Sequence, residues 1–156
     1  SIRFKESDVR SVGRTAIGVR GIRLADKDKV VSLIVAESDD PILTATEKGY
    51  GKRTQLDEYR AQARGGSGVI SIKTSDRNGQ VVGAIQVTDE DEMMLISDKG
   101  TLVRARAADV SIIGRNTQGV TLINIADDEA LVSVAKIAET DDDEEGTDEI
   151  EVTSEE

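Results

Sequence analysis

The sequence has no cysteine, no histidine and a single proline in 156 residues. Without cysteine there can be neither a disulfide framework nor a thiolate metal site, and without histidine the commonest metal ligand is missing. No apolar run reaches about 18 residues, the length that a transmembrane helix requires, and no signal segment opens the chain. We therefore expect a cytosolic protein with no metal ion and no cofactor of its own.

Aromatic side chains are almost as scarce, with one Phe, two Tyr and no Trp. Proteins that bind single-stranded nucleic acid stack its bases on aromatic rings, so this mode of binding is disfavoured. No helix with base-reading residues is visible either. If the chain binds nucleic acid, we expect contacts to phosphates and bending of a duplex, with little direct base readout.

Charge is present but unevenly distributed. The net charge is −11, yet residues 139–156 alone hold 11 acidic residues and no basic ones. The other 138 residues hold the remaining 20 acids and all 20 Lys and Arg residues, so their balance is zero. We expect 139–156 to be an acidic disordered tail, because it has too little apolar surface to offset the entropy of ordering. The acidic pI therefore does not exclude a polyanionic partner.

A basic, glycine-rich loop followed by an alternating apolar segment occurs three times, and we call these the first, second and third copies. Corresponding residues in the copies are 50 and 51 positions apart, as in the sets Arg14, Arg64, Arg115 and Gly18, Gly68, Gly119. A repeat of this length is typical of propellers and solenoids.

Apolar alternation with period two dominates, which predicts β-strands. The predicted strands are Val19–Leu24, Val30–Val35, Ile42–Thr46, Val69–Lys73, Val81–Val87, Met93–Ser97, Leu102–Arg106, Val120–Ile125 and Leu131–Ile137. Asn78-Gly79 predicts a type I′ hairpin turn, and Leu56–Ala63 has the character of a single helical turn. About four antiparallel strands per copy predict an all-β, propeller-like fold with three blades in residues 1–138. Three blades are too few to close a ring, and residue 1 is not Met, so we expect further repeats before Ser1.

Basic residues recur in register between the copies. If equivalent cations point outward, successive blades carry a periodic basic stripe that suits duplex DNA, and neighbouring glycines let backbone N–H groups approach phosphates. The alternative is that these residues only solvate exposed strands or pair with neighbouring acids. The residues predicted to contact DNA are Arg3, Lys5, Arg10, Arg14, Arg23, Lys52, Arg53, Arg60, Arg64, Gly65, Gly66, Lys73, Arg104, Arg106 and Arg115.

Signals of catalysis are weak. The sequence has neither a phosphate-cradling Gly-x-x-x-x-Gly-Lys loop nor a catalytic triad. Glu90-Asp91-Glu92 and Asp39-Asp40 are interpreted as solvated turns rather than metal ligands. Tyr59 aligns with Val9 and Val110, which favours a structural role over a nucleophilic one. The chain by itself is predicted to have no catalytic residues.

Four separate motifs resemble the C-terminal (β-pinwheel) domain of bacterial DNA gyrase A. They are Gly18-Val19-Arg20-Gly21-Ile22-Arg23-Leu24, Tyr50-Gly51-Lys52-Arg53-Thr54, Gly68-Val69-Ile70-Ser71-Ile72-Lys73 and Gly114-Arg115-Asn116-Thr117-Gln118-Gly119-Val120. The resemblance covers nearly all of residues 1–138. It implies half of a six-bladed β-pinwheel whose rim wraps DNA, so that ATP-driven strand passage introduces negative supercoils.

The family's hallmark box, Gln-Arg-Arg-Gly-Gly-x-Gly, has only a partial counterpart at 62–68, which lacks the second Arg and has Ser67 where Lys is frequent. The resemblance implies double-stranded DNA as partner, together with the rest of gyrase A and with gyrase B in a heterotetramer. It also implies a cytoplasmic, nucleoid-associated location and no membrane contact. Two alternatives stay open, namely the equivalent domain of topoisomerase IV and a propeller that binds proteins. The acidic tail either competes with DNA for the basic rim or only solubilises the chain.

Overall fold

The computed structural model describes residues 1–138. It is all-β, with seven strands and three single turns of 3-10 helix. The strands are β1 (Ile42–Thr46), β2 (Tyr50–Thr54), β3 (Val81–Gln86), β4 (Glu92–Ser97), β5 (Leu102–Arg106), β6 (Val120–Thr121) and β7 (Leu131–Lys136). The 3-10 turns are Glu6–Asp8, Leu56–Glu58 and Ala107–Asp109. Among residues 1–138 there is no helix with the length and apolar character to cross a membrane.

The strands form two antiparallel sheets. The first has the order β3-β1-β2-β6, and the second has the order β5-β4-β7. β1 and β4 are equivalent central strands, and each lies between two strands from later in its own copy. β6 comes from the third copy and pairs with β2 of the second copy, with Gly51 opposite Val120. The copies are therefore joined by strand pairing as well as by packing.

The local structure repeats at the same 50- and 51-residue intervals as the sequence. The three 3-10 turns begin at Glu6, Leu56 and Ala107, which are 50 and 51 residues apart. Gly18, Gly68 and Gly119 all have positive φ, between 76° and 87°. Since this region of φ favours glycine, the recurrence of glycine here reflects a recurring backbone turn.

The hydrophobic core lies between successive copies. The larger cluster joins Leu43 of β1 with Met93 and Leu95 of β4 and with Leu131 of β7. A smaller cluster joins Ile42, Leu56 and Tyr59 with Ile34 and Val69. Each cluster thus draws residues from two neighbouring copies, so one copy alone buries little apolar surface.

Five predicted strands are present with ends shifted by no more than one residue, and they correspond to β1, β3, β4, β5 and β7. The strand predicted at 120–125 is limited to Val120–Thr121, and those predicted at 19–24, 30–35 and 69–73 are absent. Residues 30–35 are equivalent to β3 and β7, but no counterpart of β1 or β4 lies beside them among the described residues. Val30, Val31, Leu33 and Val35 are consequently exposed.

The predicted hairpin at Asn78-Gly79 is wrong. Gly79 has φ of +73°, but Asn78 does not have positive φ, so the turn is not type I′. The Asn78 side chain is fully buried and donates from Nδ2 to the carbonyl oxygens of Lys73 and Gln118, both at 3.0 Å. Asn78 therefore connects the second copy to the third instead of shaping a hairpin. The predicted tail at 139–156 lies outside the described residues.

Candidate nucleic-acid interface

Arg3 and Arg53 hold successive copies together. The Nη1 atom of Arg3 donates to the carbonyl oxygen of Leu56 at 3.0 Å, in the 3-10 turn of the next copy. The Nε atom of Arg53 donates to the carbonyl oxygen of Val110 at 2.8 Å, just after the following turn. A guanidinium group therefore satisfies carbonyl groups at the end of a helical turn that have no partner within it. The outward orientation expected for Arg53 is wrong, since its exposed fraction is 4%.

Arg104 has the equivalent position in the third copy but a different environment. No further 3-10 turn covers it within the described residues, and its side chain pairs with Glu92 on β4. Its exposure differs accordingly, with 63% of the side chain accessible. Arg3, Arg53 and Arg104 thus do not form one row of outward cations, although their sequence register is shared.

The loop arginines make a second set of contacts between copies. Arg64 Nη1 donates to the Arg20 carbonyl oxygen at 2.5 Å, and Arg115 Nη1 donates to the Ile70 carbonyl oxygen at 2.8 Å. Arg20 and Ile70 are themselves equivalent positions, so this contact repeats. Each loop arginine binds the copy that precedes it, which explains its recurrence without any ligand. Arg14, the first of the set, is exposed.

Lys52 is fully buried beside the third loop. Its Nζ atom donates to the carbonyl oxygens of Gly114 and Arg115, each at 2.5 Å, and to Thr117 Oγ1 at 3.1 Å. Burial lowers the pKa of Lys52 to about 8, with Glu58 acting to raise it and Arg115 to lower it. The expected surface position of Lys52 is therefore wrong, because this ammonium group fixes the loop from inside.

Gly65 and Gly66 also use their backbone groups between copies. The Gly65 N–H donates to the Gly21 carbonyl oxygen at 2.6 Å, and the Gly66 carbonyl oxygen accepts from the Arg23 N–H at 2.8 Å. An equivalent bond joins the Lys73 N–H to the Thr117 carbonyl oxygen at 2.9 Å. The Gly65 N–H is thus already engaged within the protein.

Six of the predicted residues remain on the surface and have no ion-pair partner within residues 1–138. They comprise two equivalent pairs, Arg10 with Arg60 and Arg23 with Lys73, together with Lys5 and Arg14. Arg10 and Arg60 follow the same 3-10 turn in successive copies, so the backbone presents them in the same way. These six side chains form the candidate interface, which we call the exposed cation set.

Other exposed cations were not predicted from the sequence. They are Arg20, Lys27, Lys29, Lys48 and Arg77. Arg77 lies over the Tyr50 ring, 5.0 Å from its centroid, and Lys48 Nζ donates to the Asp76 carbonyl oxygen at 2.5 Å. Register could have found three of them, since Lys27 aligns with Arg77 and Lys48 aligns with Lys99. Exposure alone identifies Arg20 and Lys29.

The described residues match a known protein family almost without gaps. A family model described as the DNA gyrase C-terminal domain, β-propeller, matches residues 1–37, 40–88 and 91–138. The chain belongs to this family. The predicted resemblance and the predicted all-β, propeller-like fold are confirmed.

Individual DNA gyrase A proteins are also similar to this chain in sequence. The DNA gyrase A protein of Klebsiella oxytoca is 61% identical over 144 residues, which are 92% of this chain and 16% of that protein. The chain thus spans about a sixth of the length of the curated relatives that it matches.

A solved gyrase A C-terminal domain has a TM-score of 0.80 at 33% identity, over 86% of this chain and 46% of that one. The C-terminal domain of DNA topoisomerase IV has a TM-score of 0.79 at 27% identity, over 86% of this chain and 42% of that one. The backbones of the two solved domains are therefore almost equally similar to the backbone of this chain.

Proposed function

We propose that this chain is a non-catalytic, DNA-binding and DNA-wrapping part of the C-terminal domain of a gyrase A protein. The observation that carries the proposal is the exposed cation set, in which Arg10 and Arg60 recur at equivalent surface positions of successive copies. Family membership supports the same function. The arginines that bond to neighbouring copies, together with Lys52, keep these surface cations in a fixed relation.

The proposed mechanism is electrostatic. Each surface cation that neutralises a phosphate releases counterions, so log K falls with log salt by about 0.9 for each contact. Six such contacts correspond to a slope of about −5. Bending a short duplex through 40–90° costs roughly 1–6 kcal/mol, which these contacts have to offset. Residues 1–138 contain no helix longer than a single 3-10 turn that could read base edges, so contacts to phosphates dominate and the binding has little sequence preference.

In the whole enzyme, we assign the chain a supporting role. It wraps a duplex so that the remainder of gyrase A, together with gyrase B in a cytoplasmic heterotetramer, introduces negative supercoils with ATP. Catalytic residues and the nucleotide site belong to those other parts. The near-equal backbone similarity to topoisomerase IV supports a second candidate, the corresponding domain of that enzyme. Gyrase is favoured because the identity to a gyrase A protein is 61%, whereas the identity to the solved topoisomerase IV domain is 27%.

The test is a salt titration of duplex binding in the full-length protein that carries this chain. Arg10→Gln combined with Arg60→Gln removes two predicted phosphate contacts and should flatten the slope by about 2. Arg10→Lys combined with Arg60→Lys keeps both charges and should leave the slope close to that of the parent. A slope of the parent near zero, or equal slopes for all three proteins, would contradict the proposed function.

A further inference from the structure

The three family-matched segments differ in charge. Residues 1–37 hold eight basic and five acidic residues, and residues 40–88 hold seven and five. Residues 91–138 reverse the balance, with five basic and seven acidic residues. A duplex that follows equivalent surfaces of these segments would therefore meet two basic units and then an acidic one.

The exposed cations of the third segment are also neutralised individually. Four ion pairs lie there, and together they engage every exposed Lys and Arg of residues 91–138. They join Lys99 to Asp128, Arg104 to Glu92, Arg106 to Asp109 at 3.1 Å and Lys136 to Asp91 at 2.7 Å. By contrast, the only ion pair of residues 1–88 within the described chain joins buried Arg53 to Asp89.

The directions of two pKa shifts agree with two of these pairs. The hydrogen bond and charge of Asp109 raise the pKa of Arg106 above its usual value. Partial burial acts to raise the pKa of Asp91, but hydrogen bonds from Lys136 and Thr88 lower it overall. The Asp91 carboxylate therefore stays ionised beside Lys136 at neutral pH.

The pairing acids are features of the third segment. Glu92 stands where the second copy has Pro41, and Asp128 stands where it has Arg77. Lys5 has the position of Arg106, yet the equivalent of Asp109, Asp8, forms no ion pair with it within residues 1–138. A phosphate approaching the third segment would have to displace a carboxylate and remain near its charge, so little net counterion release would follow.

We infer that the acidic side chains of residues 91–138 withhold that segment's cations from duplex DNA, so that the first two segments make the phosphate contacts. The inference rests on the proposed DNA-binding function and adds a direction to it. The contact track is strong over residues 1–88 and ends at the third segment. Removal of the pairing acids should extend the track.

The experiment compares three double variants in the full-length protein that carries this chain, with a short duplex and fluorescence anisotropy across a salt series. Arg104→Gln with Arg106→Gln should leave the slope of log K against log salt unchanged, whereas Arg10→Gln with Arg60→Gln should flatten it by about 2. Glu92→Gln with Asp109→Asn frees two cations and should steepen it by about 2. These side chains are at the surface, where ion pairs contribute little to folding, so all three variants should fold.

Flattening by Arg104→Gln with Arg106→Gln as large as that of the Arg10 and Arg60 variant would overturn the inference. So would an unchanged slope after Glu92→Gln with Asp109→Asn. If the parent protein binds DNA with a steep salt dependence, either of these results overturns the inference but leaves the proposed function intact. If the slope of the parent is near zero, both the inference and the proposed function are overturned.

Discussion

At the scale of single residues, burial divides the recurring cations into two kinds. Arg53 and Lys52 have almost no exposed surface and donate to backbone oxygens of the next copy. Arg10 and Arg60 are exposed and contact no acid within residues 1–138. The first kind joins the copies, and the second is available to a ligand.

Replacement of Arg53 should cost stability, whereas replacement of its counterpart Arg104 should not. Arg53→Gln removes charged hydrogen bonds to buried carbonyl groups, and we expect a loss of about 2–3 kcal/mol in the free energy of unfolding. Arg104→Gln removes only an exposed ion pair and should cost less than about 1 kcal/mol. Urea unfolding of both variants measures the difference. Equal losses would contradict the capping role of Arg53.

Lys52 should make stability depend on pH in the alkaline range. Its pKa is about 8 in the folded chain and about 10.4 when unfolded, so the unfolded state binds more protons between these values. Stability should therefore rise from pH 8 towards pH 10.4, and this contribution is lost as pH falls through about 8. Because Lys52→Met lacks the group, the parent-minus-variant difference in unfolding free energy isolates it. A difference that did not change with pH would show that Lys52 is not desolvated.

At the scale of secondary-structure elements, the joint between β2 and β6 depends on a glycine. Gly119 has φ of +83°, and a Cβ atom added there would lie 2.6 Å from the Gly51 carbonyl oxygen. Gly18, its equivalent, has φ of +87° but no atom within 4 Å of such a Cβ. The two positions therefore separate backbone strain from a steric clash.

Alanine at these two glycines should give unequal losses. Gly18→Ala should cost only the strain of positive φ, about 1–2 kcal/mol. Gly119→Ala adds the clash and should also weaken the hydrogen bond from the Leu122 N–H to the Gly49 carbonyl oxygen. Urea unfolding measures the first effect, and hydrogen exchange of the Leu122 amide measures the second. Similar losses with unchanged exchange would mean that β6 is not held by close approach to β2.

Five strands could be predicted because their apolar residues alternate and are buried within a sheet. β2 could not, since Gly51, Lys52 and Arg53 carry no apolar alternation, and the side chains of Lys52 and Arg53 are satisfied by carbonyl groups of the next copy. The repeat period was readable, but register did not reveal which way a cation points. Arg53 and Arg104 share a position and differ in exposure, because the presence of a following turn decides the environment.

At the scale of the whole molecule, cores and arginine joints lie between copies, and the charge balance changes from positive to negative along the chain. This arrangement gives a rigid series of units whose surface cations have fixed spacing. We therefore expect surface cations such as Lys5 and Lys73, and not the interior ones, to contact a duplex.

Lysine acetylation followed by mass spectrometry, with and without duplex DNA, tests that claim most directly. In the full-length protein that carries this chain, Lys5 and Lys73 should react readily and become protected when DNA binds. Lys52 should be unreactive in both states, since its Nζ atom is enclosed by three oxygen atoms. Unchanged reactivity of Lys5 and Lys73 under conditions in which DNA is bound would contradict the proposed interface.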